Sequence, residues 1–264
     1  KETGGESMST MQEKLKKMNP RQLEAVLHTE GPLLILAGAG SGKTTVLINR
    51  IAYIIDQSLA KPWQILAITF TNKAAGELKE RLTAMLGDTG GDVWAATFHS
   101  TCARILRRDG DRIGYSSHFT VYDTDDSKRL VKDCQKALNI DDKMISHKSI
   151  LSEISHAKDS MLSPADYQAA AGSDFRLAKI GAVYELYQKR LREADAMDFD
   201  DLLGNTVELF RQCPDVLEYY QNRFRYIMVD EYQDTNQVQY EFVRLLAEKS
   251  KNLCVVGDDD QSIY

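Results

Sequence analysis

The sequence predicts an α/β fold: a parallel sheet flanked by helices, with an all-α subdomain inserted between its strands. Three observations carry that expectation. Five short apolar runs, "LLIL" (33–36), "ILAITF" (65–70), "VWAAT" (93–97), "YIMV" (226–229) and "LCVVG" (253–257), are bounded by turn or polar residues. Their hydrophobicity is continuous rather than alternating, as expected for strands covered on both faces in a parallel sheet. Helical patterns lie between several of them, and strands alternating with helices mark an α/β fold.

Taken in order, residues 1–10, "KETGGESMST", are polar and rich in glycine and serine, and read as a flexible tail or a cloning remnant. "LLILAGAGSGKTTVLINRIAYII" (33–55) predicts a strand, a glycine-rich turn and a helix with Val46, Leu47, Ile51 and Ile54 facing inward. Its centre, "GSGKTT" (40–45), is a phosphate-binding loop. Glycines let the backbone curl so that successive N–H groups point at phosphate oxygens, at the positive end of the helix dipole. Lys43 is then placed to reach the β and γ phosphates and the Thr44 hydroxyl to bind Mg²⁺. The usual first glycine of the motif falls at Ala37.

After the second apolar run, Ala74, Ala75, Leu78, Leu82, Met85 and Leu86 recur at helical spacing. From about 113 to 195 no strand-like run of similar strength occurs. Amphipathic stripes take over: Leu130, Val131, Cys134 and Leu138, then Leu177, Ile180, Val183, Tyr184, Tyr187 and Leu191. The expected division is therefore a core of 11–112 and 196–264 around a helical insertion, 113–195. "AMDFDDLL" (196–203) reads as a capped helix returning the chain to the sheet, with no chemistry assigned.

"YIMVDEYQDTNQ" (226–237) supplies the acidic half of a nucleotide site. Asp230 ends a buried strand, where a carboxylate can hold the Mg²⁺ shell opposite Thr44. Glu231 beside it can orient and deprotonate an attacking water, which points to hydrolysis rather than transfer to an alcohol. A GTPase reading fails, because the nearest match to N-K-x-D is "TNKAAG" (71–76), with Ala75 in place of the aspartate.

Composition bounds the rest. The 264 residues, 43% hydrophobic and 27% charged, have the make-up of a globular protein with a real core. No run approaches the roughly 18 apolar residues needed to cross a bilayer, and no signal peptide opens the chain. Cys102, Cys134, Cys213 and Cys254 are scattered without a C-x-x-C pair, as expected of reduced, buried thiols in a cytosolic protein. A net charge of −6 argues against broad adhesion to nucleic acid and leaves room for a locally basic groove. The clusters "RILRRDGDR" (104–112) and "QKRLRE" (188–193) could line a DNA track; both are interrupted by acids, and most of these charges read as solvated helix faces.

In order and spacing these motifs resemble the UvrD/PcrA/Rep branch of superfamily 1 DNA helicases, from about residue 18 to the end. The resemblance implies a RecA-like ATP-binding core and the cofactors ATP and Mg²⁺. "AGAGSGKT" (37–44) resembles the family's usual phosphate loop, so Ala37, Gly38, Ala39, Gly40, Ser41, Gly42, Lys43, Thr44 and Thr45 are implied to cradle the nucleotide. "MNPRQLEAV" (18–26) resembles the adenine-reading segment and would place Gln22 on the base edge. By the same match Asp230 binds Mg²⁺ and Glu231 is the general base; Gln233 and Asp234 would link the site to neighbouring loops.

"TFTNKAAGEL" (69–78) and "TFHSTCARIL" (97–106) resemble the family's single-stranded DNA contacts. Phe70 offers a stacking face, while Thr71, Asn72, Lys73 and His99 offer donors to phosphates. Each also has a plain structural reading: Phe70 as core, Lys73 as a solvated helix residue, His99 as a capping or core histidine. "VVGDDDQSIY" (255–264) resembles the start of the coupling motif, with Gln261 sensing the γ-phosphate and Tyr264 towards the DNA path.

The resemblance implies a bacterial cytoplasmic, ATP-driven motor moving 3′→5′ on single-stranded DNA, acting at single/double-strand junctions with repair or replication proteins as partners. The chain is expected to be its N-terminal half, lacking the C-terminal RecA-like domain that supplies transition-state arginines. It is therefore expected to bind Mg·ATP, hydrolyse it very slowly and not unwind DNA. Two other readings stay open: the helicase module of a helicase–nuclease, and a nucleic-acid or partner-binding module with a vestigial ATP site. Intact Lys43, Thr44, Asp230 and Glu231 weigh against the second.

Overall fold

The structure is a computed structural model and describes residues 11–38 and 42–258. The tail at 1–10, Ala39, Gly40, Ser41, Gln261 and Tyr264 lie outside the described residues. The chain divides into two compact units. One comprises the residues up to Phe98, Leu217–Thr235 and the residues from Arg244; the other comprises His99–Val216 and Asn236–Val243.

The first unit is built on a parallel five-stranded sheet of β1 (Leu33–Ala37), β2 (Ile65–Thr69), β3 (Trp94–Thr97), β6 (Tyr226–Val229) and β7 (Leu253–Asp258), in the order β1-β7-β6-β2-β3. All five apolar runs are strands. β2 and β6 are buried along their whole length, which explains their unbroken hydrophobicity. β1 departs from the expected cover on both faces. It is an edge strand, and Leu34 and Leu36 stand about half exposed on its open side.

Helices α1 (Pro20–Leu27), α2 (Lys43–Asp56) and α3 (Asn72–Leu86) accompany this sheet. Leu47, Ile48, Ile51 and Ile54 of α2, with Leu78 and Leu82 of α3, pack with Ile65, Ala67, Met228 and Val256 into one core. Between α3 and β3 the chain passes so close to α3 that a Cβ on Gly90 would lie 2.3 Å from the Leu82 carbonyl oxygen. Only glycine fits there.

The second unit is mostly helical. It holds β4 (Thr120–Tyr122), β5 (Ala196–Asp198), α5 (Thr124–Ala137), α6 (His147–Asp159), α7 (Pro164–Ala171), α8 (Phe175–Glu193) and α9 (Phe199–Gln212), after α4 (Phe98–Asp109), which begins in the first unit. The stripes lie on helices except for Leu138, which caps α5 and is exposed: Val131 and Cys134 of α5 pack with Ile180, Val183, Tyr184, Tyr187 and Leu191 of α8. The strands β4 and β5, three residues each, pair in parallel. Asp198 ends β5 and caps α9 through a reciprocal box, its carboxylate accepting from the Asp201 N–H at 2.9 Å. Lys158 of α6 reaches the same two aspartates, at 2.6 and 3.0 Å. Among the described residues no helix is long and apolar enough to cross a membrane.

Candidate nucleotide-binding site

The sheet order places the chemistry. Four strands, β1, β7, β6 and β2, lie side by side and point the same way, so the segments leaving their carboxyl ends share one edge. Ligands of open α/β sheets bind at that edge, where the strand order reverses. Here the chain passes from β1 over β7 and β6 to β2 and β3, then runs back through β6 to β7 beside β1.

Ala37 ends β1 in register with Asp258 of β7. Gly42 follows the loop in the left-handed region, φ 75°, a conformation that suits glycine, and α2 starts at Lys43. Lys43 turns back to the sheet edge. Its ammonium lies 2.6 Å from Asp258 Oδ1 and 3.2 Å from Glu231 Oε1. Burial opposes the Lys43 charge, and hydrogen bonds with the two carboxylates outweigh it, leaving the lysine above its ordinary value. The Lys43 ammonium is therefore held by two acids.

Asp230 leaves β6 with its N–H bonded to the Ile68 carbonyl at 3.0 Å. Its Oδ1 accepts from the Glu231 N–H at 2.9 Å. Burial raises the Asp230 carboxyl above its ordinary range, and the nearby Glu231 and Asp258 charges add to this. Among the described residues, Asp230, Glu231 and Asp258 face one ammonium, that of Lys43, an excess of negative charge that a divalent cation would relieve. Glu231 itself adopts φ 54° and ψ 42°, a left-handed conformation that costs a non-glycine residue about 1–3 kcal/mol and collects at functional sites.

Gln22 belongs to a capping box at the start of α1. The Asn19 side chain accepts from the Gln22 N–H at 2.8 Å, and Gln22 Oε1 accepts from the Asn19 N–H at 3.2 Å. Its Nε2 faces the end of the phosphate loop, 3.9 Å from where a Cβ on Gly42 would sit. Buried Arg50 of α2 pins the far end of α1 by donating to the Ala25 carbonyl at 3.0 Å and to that of His28. Thr44 is half-buried in the first turn of α2. Thr45 is exposed, and its hydroxyl accepts from Arg81 of α3 at 2.9 Å.

At the end of β2, Phe70 is half-buried and meets Phe98 edge-on at 5.3 Å. Thr71 caps α3, its hydroxyl oxygen accepting from the Ala74 N–H at 3.1 Å, and Asn72 and Lys73 are exposed. His99 belongs to the second unit, with Phe199 edge-on at 6.1 Å. Burial lowers its pKa, so at neutral pH it is an uncharged donor or stacking partner rather than a cation.

Two participants escaped the sequence reading. Asp258 was hidden in a run of three aspartates, and only the β1–β7 register singles it out. Arg81 lies three residues past "TFTNKAAGEL" (69–78), and no sequence motif includes it.

A parallel α/β domain with a lysine opening the helix after its edge strand and carboxylates after the neighbouring strands has the layout of a phosphate-loop nucleotide-binding domain. Within that class the chain belongs to the UvrD/REP helicase N-terminal domain family, whose model matches residues 18–264. It is 54% identical over 250 residues to the ATP-dependent DNA helicase PcrA of Staphylococcus aureus strain Mu50, covering 95% of this chain and 34% of the relative. The same identity and coverage hold for PcrA of Staphylococcus epidermidis strain RP62A. The chain thus spans about a third of the length of the curated relatives it matches, 34%. The RecA-like expectation is met by this family and by the parallel sheet.

Proposed function

We propose that the chain carries the ATP-binding core of an ATP-driven motor on single-stranded DNA, with Lys43, Asp230 and Glu231 at its centre. The observation that carries this reading is Lys43 placed between Glu231 and Asp258 on one strand edge. Arriving phosphates would draw Lys43 from these acids, and the loop N–H groups would share the remaining charge. Glu231, freed on one oxygen, would orient and deprotonate the attacking water. Gln22 would meet the base edge from beside Gly42.

Thr44 and Asp230 would offer Mg²⁺ a hydroxyl and a carboxylate oxygen, the hard donors this ion takes. Among the described residues no cluster of three donors forms a ready metal cage. Magnesium commonly takes one or two protein ligands and completes its shell with water and phosphate, so two donors suffice. The ion would neutralise phosphate charge. DNA would be met by Phe70, Thr71, Asn72 and Lys73, with His99 as a further contact.

The resemblance adds 3′→5′ movement, action at single/double-strand junctions in repair or replication, a bacterial cytoplasmic setting, and transition-state arginines from a second RecA-like domain. An arginine finger is worth about 10³–10⁵ in rate, so this chain should hydrolyse ATP very slowly by itself. The test is Mg·ATP hydrolysis by the chain with and without single-stranded DNA, beside Glu231→Gln. Near-zero turnover throughout is expected. DNA-stimulated turnover that Glu231→Gln abolishes would show the site to be complete in this chain and would overturn the division of labour.

A further inference from the structure

We propose that Gln233 is the positioning residue for Glu231, and that it ties this carboxylate to the end of β7 through Asp258. The inference rests on the reading of Glu231 as the group that activates water. Gln233 Oε1 accepts from the Asp258 N–H at 3.2 Å. That bond fixes which way round the carboxamide sits, because its other end must then be the donor. The donor end meets Glu231 Oε2 at 2.7 Å and Asp258 Oδ2 at 3.4 Å.

Lys43 takes the remaining oxygens, Glu231 Oε1 at 3.2 Å and Asp258 Oδ1 at 2.6 Å. The four side chains close a ring in which each carboxylate gives one oxygen to the lysine and one to the glutamine. The two halves of the ring are not equivalent. Phosphates compete for Lys43, a mobile point charge, and leave Gln233 untouched. When Lys43 departs, Glu231 keeps a donor on Oε2 and turns a free Oε1 to the space the lysine left, which is where a water must be met. Gln233 thereby holds the carboxylate's aim through the change in its partner, and passes any displacement of Glu231 to the strand end at Asp258.

Two substitutions separate the contacts. Gln233→Leu removes both; Gln233→Glu keeps an acceptor for the Asp258 N–H and loses the donor to Glu231. In single-turnover hydrolysis at excess protein, both should lower the rate constant by about 10- to 100-fold, the usual cost of a misplaced reacting group. Binding of Mg·ATP by Gln233→Leu should stay at the wild-type value, and its melting temperature should fall by only a few degrees, leaving the chain folded at assay temperature. Wild-type rates in Gln233→Leu would overturn the proposal. So would a wild-type rate in Gln233→Glu, which would leave only an anchor for the strand.

A second readout needs no turnover. The side-chain amide signal of Gln233 in a ¹⁵N spectrum, identified by its loss in Gln233→Leu, should move in Glu231→Gln and in Asp258→Asn. A signal that moves in neither sinks the ring, even in a chain too slow to assay. Failure of the wild type to bind Mg·ATP would instead defeat the nucleotide reading and leave the ring to be judged by the spectrum.

Discussion

Replacing Lys158 by methionine should destabilise the second unit far more than its loss of one contact suggests. The lysine side chain is 6% exposed, and its partners Asp198 and Asp201 are 10% and 7% exposed. The Tyr187 hydroxyl donates to Asp198 Oδ2 at 2.8 Å, and Gln188 Nε2 donates to Asp201 Oδ1 at 3.2 Å. Burial pushes both carboxyls up; Lys158 with the surrounding hydrogen bonds brings Asp198 net below its ordinary value, while Asp201 stays above. Without the ammonium, two buried carboxylates face each other. Breaking such a pair costs about 3–5 kcal/mol, whereas an intact buried pair often adds little over an apolar replacement.

The assay is urea unfolding at pH 7.5, followed by hydrogen exchange in the α6 and α8 peptides, because both tryptophans, Trp63 and Trp94, report on the first unit. Adding Asp198→Asn and Asp201→Asn to Lys158→Met should recover most of the loss, since asparagine still caps α9. A loss below about 1 kcal/mol for Lys158→Met alone would show the charges to be solvated and would refute the reasoning.

Asp200 has its pKa pushed up to about 6, first by burial and then by Asp198. A carboxyl whose folded pKa is raised binds its proton more tightly when folded, so stability falls as pH rises from about 4 to 6. Asp200→Asn should therefore stabilise the chain by about 1–3 kcal/mol at pH 7.5 and by nothing measurable at pH 4, read from urea midpoints at both; an unchanged midpoint at pH 7.5 would count against it. Gly90→Ala drives a Cβ into the Leu82 and Thr83 backbone and should cost about 1–3 kcal/mol, whereas Gly91→Ala, with nothing within 4 Å, should be near neutral. Equal midpoints for the two alanine variants would show that the close approach to α3 relaxes freely.

The fold was legible where burial is two-sided. β2 and β6 are covered throughout, so their runs carry no polar interruption to confuse them with surface strands. The stripes around Val131 and Tyr187 were legible because α5 and α8 bury one face each. β4 and β5 were not: three residues are too few to show a period, and the pairing of Val121 with Met197 spans most of the second unit. Sequence spacing marks Lys43, Asp230 and Glu231 because consecutive residues at a strand end share a neighbourhood. It cannot show that Lys158 meets Asp198, 40 residues on, so "AMDFDDLL" was assigned no chemistry and proves to anchor a buried charge. The resemblance implies a base contact for Gln22; its bond to the Asn19 N–H adds a helix-capping task, as a helix start after Pro20 would have it.

The central claim is that Lys43, released from Glu231 and Asp258, receives the phosphates of ATP. Calorimetric titration of Mg·ATP into the wild-type chain and into Lys43→Ala tests it most directly. One saturable site in the wild type, lost in Lys43→Ala, is the predicted result. Binding undiminished by the substitution, or none to the wild type, would contradict it.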